Sequence, residues 1–249
     1  MELSKRLQAV AALVTPRNRI ADIGTDHAYI PIYLIEEKRC MSAVAMDVNK
    51  GPLKRAEEHI QEAGLAEKIK VRLSDGLEKL EPGEADCAVI AGIGGGLMIR
   101  ILSAYPTVTA SLQECVLQPQ SELAKVRRFL LENGFCFLEE EMVQEDGKYY
   151  PMMKVIPPGR IKEPKAEREN TALCEWSETE LRYGKLLLKK RHPVLQDFLL
   201  REYTLHKRIL ESLETKSGEK IENRKHELKE DLYYIEKGLE YYELQRNHR

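Results

Sequence analysis

Short apolar runs alternate with helical patterns through residue 156, and no other feature of the chain restricts its fold as strongly. The runs are 19–23, 43–47, 69–73, 86–91 and 113–118. Each has the length of one strand and is apolar on both faces, the pattern of a strand covered on both sides. Between them the apolar spacing predicts helices over 29–38, 52–63, 95–104 and 122–132. Parallel neighbours need a long crossover, and a helix supplies it. The alternation therefore predicts an α/β fold with a mostly parallel, doubly wound sheet. Asn49-Lys50-Gly51-Pro52 opens one helix, with Pro52 suited to its first position. Ser121 is placed to cap another.

After Gly134 the period changes. Residues 135–143 and 149–156 are strand-like runs around Glu145-Asp146-Gly147-Lys148, a hairpin signal. A doubly wound sheet finished by a hairpin has the Rossmann-like architecture of class I methyltransferases, a fold analogy only. Pro157-Pro158-Gly159 closes a first domain, 1–158. Residues 160–174 are charged and aperiodic and read as a linker. In the second domain, 159–249, Ser177 and Glu180 form a capping box, with Trp176 and Leu181 placed as a staple. That helix should end or kink at Pro193. Long helices over 193–215 and 219–247 follow. Leu195, Phe198, Leu205 and Ile209 offer one seam; Ile221, Leu228, Leu232, Ile235, Leu239 and Tyr242 offer the other. Matching seams and a tight turn predict an antiparallel α-helical coiled-coil hairpin.

Net charge is −2, which gives no general drive toward nucleic acid. No apolar run approaches the ~20 residues that span a bilayer. The N-terminal stretch reads as an amphipathic helix rather than a signal peptide. Cys40, Cys87, Cys115, Cys136 and Cys174 are widely spaced and lack a CxxC pair. Reduced thiols in a cytoplasmic protein are expected, with no metal site.

The candidate chemistry gathers where strands end. Asp22 and Gly24 close the first strand ahead of a helix. Gly24 lets backbone approach a ligand, and the helix start offers N–H groups to an anion, either a pyrophosphate or the carboxylate of S-adenosyl-L-methionine. A plain tight turn is the competing reading. Asp47, beside Val48, ends the second strand, where an acid can accept from ribose hydroxyls of either cofactor. Asp75 and Gly76 follow the third, where an acid can accept from an adenine amino group; helix capping is the alternative. Three acids on one edge favour S-adenosylmethionine. Gly92, Gly94 and Gly95 follow the fourth strand and would either line a site for a flat substrate or serve close helix packing. Gln118 ends the fifth, as a contact to a base edge or a plain polar turn. Asp26, His27 and Tyr29 occupy places where such loops often carry glycine. They are candidates for catalysis, weighed evenly against capping and backbone contacts. Lys189, Lys190 and Arg191 could meet phosphates, though a solvated helix face explains them too.

The segments ADIGTDHAYIPIYL, AMDVNKGPL, LSDGLE and AGIGGGLMIRIL, with the later LQPQ and ENGF, resemble the bacterial tRNA adenine-N1 methyltransferases that modify adenine 22. The resemblance covers essentially the whole chain. It implies a class I methyltransferase domain, S-adenosylmethionine as donor and a coiled-coil tail assisting tRNA binding. By motif, Asp22, Gly24, Asp47, Asp75 and Gly76 match the donor-binding positions. Asp26, His27 and the Gly92–Gly96 loop match the active-site region. The usual acid–proline motif after strand four is missing, so no catalytic base carries over. A monomer acting on tRNA is expected, with no membrane partner. The rivals are a nicotinamide-dependent oxidoreductase, a donor-sensing binding module, and a methyltransferase of another RNA, a protein or a small molecule.

Overall fold

A computed structural model of the 249-residue chain describes residues 2–159 and 176–243. The chain divides into two compact units, Met1–Glu175 and Trp176–Arg249. The expected linker, Cys174 and the last residues of the final helix lie outside the described residues.

The first unit is built on seven strands: β1 (Asn18–Ile23), β2 (Cys40–Asp47), β3 (Ile69–Leu73), β4 (Cys87–Ile93), β5 (Glu114–Pro119), β6 (Cys136–Glu145) and β7 (Lys148–Ile156). Their order is β3-β2-β1-β4-β5-β7-β6. β1 to β5 pair in parallel, and β7 runs antiparallel to both β5 and β6. The sheet is thus mostly parallel with a closing hairpin, as expected. The helices are α1 (Lys5–Leu13), α2 (Tyr29–Glu36), α3 (Lys50–Glu62), α4 (Gly95–Ala104), α5 (Pro106–Ser111) and α6 (Leu123–Glu132). One core cluster joins Val10 and Ala11 of α1, Ile32 and Leu34 of α2 and Ile60 of α3 to strand residues such as Ile20 and Ala45. Burying one such large side chain is worth about 1.5–3 kcal/mol, which makes the covered sheet the main source of stability.

Turn chemistry sets the hairpin. Asp146 and Gly147 have φ of 49° and 72°, and a two-residue turn with positive φ at both places matches the twist of the flanking strands. The Arg127 guanidinium of α6 donates to Glu140 of β6 at 2.8 Å, with both side chains buried. Pro52 is the third residue of α3, not the first. No bond is lost, because the first four N–H groups of a helix have no partner within it.

Ser121 does not cap α6, whose N-cap is Glu122 at φ 54°. The loop containing both instead lies beside the start of α4, since β4 and β5 pair up to Ile93 and Pro119. There Ser121 Oγ accepts from Gly95 N at 3.3 Å and Glu122 Oε2 accepts from Gly96 N at 2.8 Å. At the front of the chain, Ser4 caps α1, and Glu145 of the hairpin accepts from Lys5 N at 2.5 Å.

The second unit contains α7 (Glu178–Tyr183), α8 (Lys185–Lys189), α9 (Pro193–Leu213) and α10 (Glu219–Glu243). The capping box of Ser177 and Glu180 is formed. Gly184, at φ 94°, splits the expected single helix into α7 and α8. Pro193 then opens α9. The α9–α10 pair is antiparallel: Tyr242 Oη donates to His192 O at 3.0 Å, while Lys225 Nζ donates to Lys216 O at 2.9 Å. Leu195, Leu199, Leu228, Leu232 and Ile235 are buried, whereas Leu205 is 44% exposed and leaves the expected seam.

Candidate active site

The sheet places one crevice before any ligand is considered. From β1 the chain winds outward to β2 and β3, then returns to β4 on the other side. The carboxyl ends of β1 and β4 are therefore the switch point, where doubly wound sheets bind ligands. A cleft of about 330 Å³ lies there, lined by Arg6, Asp22, Gly24, Thr25, Asp26, His27, Tyr29, Gly92 and Gln120, among others.

Asp22 is buried in the cleft wall. Burial pushes its carboxyl up to about 6, against a lowering hydrogen bond from Thr25 and with a further push from the Asp47 charge. The loop beyond it is tied down from behind. Gly24 N and Thr25 N both donate to Met46 O, at 2.8 and 3.0 Å. Those two N–H groups are spent within the fold. At Gly24, with φ 78°, a Cβ would make an ordinary contact with Ile93 Cγ2 at 3.8 Å, so it is the backbone conformation rather than crowding that favours glycine. Ala28 has φ 53° and its N–H donates to Thr25 Oγ1 at 3.1 Å. A left-handed alanine carries backbone strain of the kind found where a ligand-binding turn is held in shape. It starts α2, so the N–H groups of Tyr29 and Ile30, two residues that line the cleft, have no partner within the helix, and Pro31 has none to orphan.

Tyr29 and His27 stack at 4.8 Å with 9° between their planes. His59 of α3 joins them, 5.1 Å from His27 and 5.3 Å from Tyr29. Its Nδ1 lies 3.2 Å from His27 O. Sequence reasoning missed His59; a histidine thirty residues downstream in an ordinary amphipathic helix gives no local signal. Asp26 is exposed and paired: Arg55 Nε donates to Oδ1 at 3.0 Å, and His27 Nε2 lies 3.2 Å from Oδ2. His27 Nδ1 is buried without a partner. The Asp26 carboxylate is part of an ion pair, because α3 brings Arg55 against it.

The opposite wall is Gly92 with Arg6 and Gln120. Gln118 is fully buried, which corrects its placing as a base-edge contact. Its Oε1 accepts from Gly92 N at 3.1 Å and from Arg6 Nη1 at 3.0 Å, so it holds the wall from beneath. The exposed residue on that rim is Gln120. Gly95 is buried against the α6 side, where a Cβ would fall 2.5 Å from Ser121 O and 2.8 Å from Val126 Cγ2. Helix packing requires that glycine. Gly94 sits one residue before α4, 3.4 Å from Ser121 Oγ by the same measure.

Asp47, Val48, Asp75 and Gly76 occupy the same edge farther out, at the ends of β2 and β3, and do not line the cleft itself. Asp47 Oδ1 accepts from Asn49 N at 2.7 Å. Asp75 is exposed, 3.4 Å from Arg100 Nη2. Val48 is 57% exposed, and Gly76 is buried against Ile101. Lys189, Lys190 and Arg191 belong to the second unit, around the end of α8.

An open α/β domain with acids along its carboxyl edge and a cleft at the switch point is a nucleotide-type donor domain. Residues 3–153 match the family described as a methyltransferase domain. The chain belongs to that family. It is 37% identical over 153 residues to a tRNA (adenine(22)-N(1))-methyltransferase of Bacillus subtilis, an alignment spanning 61% of this chain and 64% of that relative. The chain thus spans just under two thirds of it. A putative tRNA (m1A22) methyltransferase of Streptococcus pneumoniae has a similar structure, with a TM-score of 0.82 and 30% identity over 96% of this chain and 100% of that one. The same protein in complex with S-adenosyl-L-methionine gives a TM-score of 0.80 at the same identity and coverage. The cleft has the charge pattern such a donor needs: a buried acid, Asp22, and the guanidinium of Arg6 line the same space, and further acids stand beyond it at the ends of β2 and β3. No helix among the described residues is long and apolar enough to cross a membrane.

Proposed function

We propose that this chain transfers a methyl group from S-adenosylmethionine to N1 of adenine 22 in tRNA. One observation carries the reading: the switch-point cleft, with its acid-lined edge and ring stack, lies in a fold that matches the Streptococcus pneumoniae protein along 96% of this chain, and that protein binds this donor. The donor supplies an electrophilic methyl carbon on a sulfonium.

Adenine N1 has a free lone pair, so the residues need not remove a proton before attack. Their work is positioning, and well-oriented reactants gain on the order of 7–11 kcal/mol. Asp22 accepts from the donor's ammonium, Asp47 from its ribose and Asp75 from its adenine, with Val48, Gly24 and Gly76 shaping the same edge. N1 lies on the pairing edge, so the target base must leave its stack, at a cost of a few kcal/mol. The His27–Tyr29–His59 stack gives a flat wall for that base. Asp26 and Arg55 fix the orientation of His27, and the Asp26 carboxylate lies close to where the methylated base becomes cationic. Gly92 and Gly94 keep the other wall low. Lys189, Lys190 and Arg191 contribute phosphate contacts from the second unit. The enzyme works as a single copy in the cytoplasm.

Mapping the methylated position in unmodified tRNA, after incubation with enzyme and labelled donor, tests the assignment. Label at N1 of adenine 22 is expected; label elsewhere, or none, overturns it.

A further inference from the structure

Arg6 is the strongest functional group in the cleft that the sequence motifs leave out. It lies on α1, before the β-α alternation begins, yet its side chain lines the cleft with Asp22 and Gly92. Its placement is built from three directions. The backbone N–H of Arg6 points to Glu145 Oε2 at 3.4 Å, at the capped start of α1. The guanidinium Nη1 donates to the buried Gln118 at 3.0 Å. The guanidinium carbon sits 5.6 Å from the Tyr150 ring centroid. These partners are a neutral amide and an aromatic face; no carboxylate among the described residues neutralises the charge.

Gly92 leaves room for this arrangement. A Cβ there would fall 3.3 Å from Arg6 Nη1, and its φ of 79° disfavours any side chain. Gln118 binds both groups with one oxygen, so the wall and the guanidinium are positioned together. A guanidinium has five N–H donors, and one goes to Gln118. The glycine loop opposite offers less than its sequence promises, because Gly24 N and Thr25 N are spent on Met46 O. An anion in this cleft can still meet neutral donors at the start of α2 and on the Gln120 amide, but among the described residues Arg6 is the one permanently cationic side chain in the cleft lining.

We propose that Arg6 clamps the α-carboxylate of the donor's amino-acid end, opposite the ammonium held at Asp22, with Gln118 as the residue that positions it. This rests on the reading of S-adenosylmethionine as donor. An acid and an unneutralised guanidinium facing one cleft complement an amino-acid zwitterion, and Arg suits a carboxylate through its planar fork. The clamp also gives α1 a purpose: it delivers one charged group to a site otherwise made at strand ends.

The test is calorimetric binding to the full chain, with S-adenosylmethionine and with decarboxylated S-adenosylmethionine, which lacks only the carboxylate. Arg6→Gln is expected to weaken the first ligand about tenfold or more, the scale of one hydrogen bond to a charged group. It should leave the second within about twofold, which also shows that the variant is folded. Arg6→Lys should fall between, keeping charge without the fork. Equal affinity of wild type and Arg6→Gln for S-adenosylmethionine overturns the clamp, as does an equal loss for both ligands. A wild-type chain that binds neither ligand overturns the donor reading itself, a result distinct from either of those.

Discussion

Asp22 shows how one residue ties the cleft to pH. Burial raises its carboxyl from 3.8 to about 6. Between those values the folded chain holds a proton that the unfolded chain has released, so this group's contribution to stability falls as pH rises through the window and is constant above it. Donor binding has the opposite sign, since only the ionised form accepts from an ammonium. Affinity for S-adenosylmethionine is expected to drop below pH 6, approaching about tenfold per unit. Asp22→Asn should bind weakly with a flat profile; calorimetry from pH 5 to 8 reads both, and a flat wild-type profile would remove Asp22 from the ammonium contact. Gly95 is a second case at this scale. A Cβ would collide with the Ser121 backbone, which cannot move aside as a side-chain tip can. Gly95→Ala is expected to cost about 1–3 kcal/mol in urea denaturation.

Elements meet at the cleft through residues distant in sequence. α3 sends His59 and Arg55 to the loop before α2, where one completes the ring stack and the other pairs with Asp26. His59→Ala should lower methylation of tRNA while leaving donor affinity unchanged, and His59→Phe should recover most of the rate by restoring a flat ring. A single-turnover comparison checks this; equal rates for wild type and His59→Ala would make the stack incidental. At the edge of the sheet farthest from β3, α6 and β6 are joined by the buried Arg127–Glu140 pair. Glu140→Ala would remove a charged hydrogen-bond partner from a buried guanidinium and is expected to destabilise the chain by about 1.5–3 kcal/mol, measured by chemical denaturation. The start of α4 shows the same interdependence. The loop after β5 caps it, so the glycine segment owes its conformation to Ser121 and Glu122 as much as to its own sequence.

At the scale of the whole molecule the chain is two compact units, and the proposed chemistry divides between them. Removing residues 160–249 should preserve S-adenosylmethionine affinity and weaken tRNA binding, with a shallower salt dependence as phosphate contacts are lost. Unchanged tRNA affinity in the folded product would leave the helical unit without a role in recognition.

The sequence by itself determined the β-α alternation, the closing hairpin and the capping box, because each is a local pattern: apolar period, turn residues with positive φ, a side chain three positions from its partner. It also placed Asp22, Gly24, Asp47 and Asp75 at strand ends, since strand ends are legible from where apolar runs stop. Tertiary structure alone decided which of these share a cleft. Asp22 and Gly24 lie at the switch point, while Asp47 and Asp75 sit farther along the edge, and that division follows from strand order, which no single run encodes. Arg6, Arg55 and His59 reach the site from helices that look ordinary in sequence, and Gln118 withdraws beneath it. Their parts depend on contacts across 29 to 112 positions of chain, and such contacts exist only once the sheet has brought its ends together.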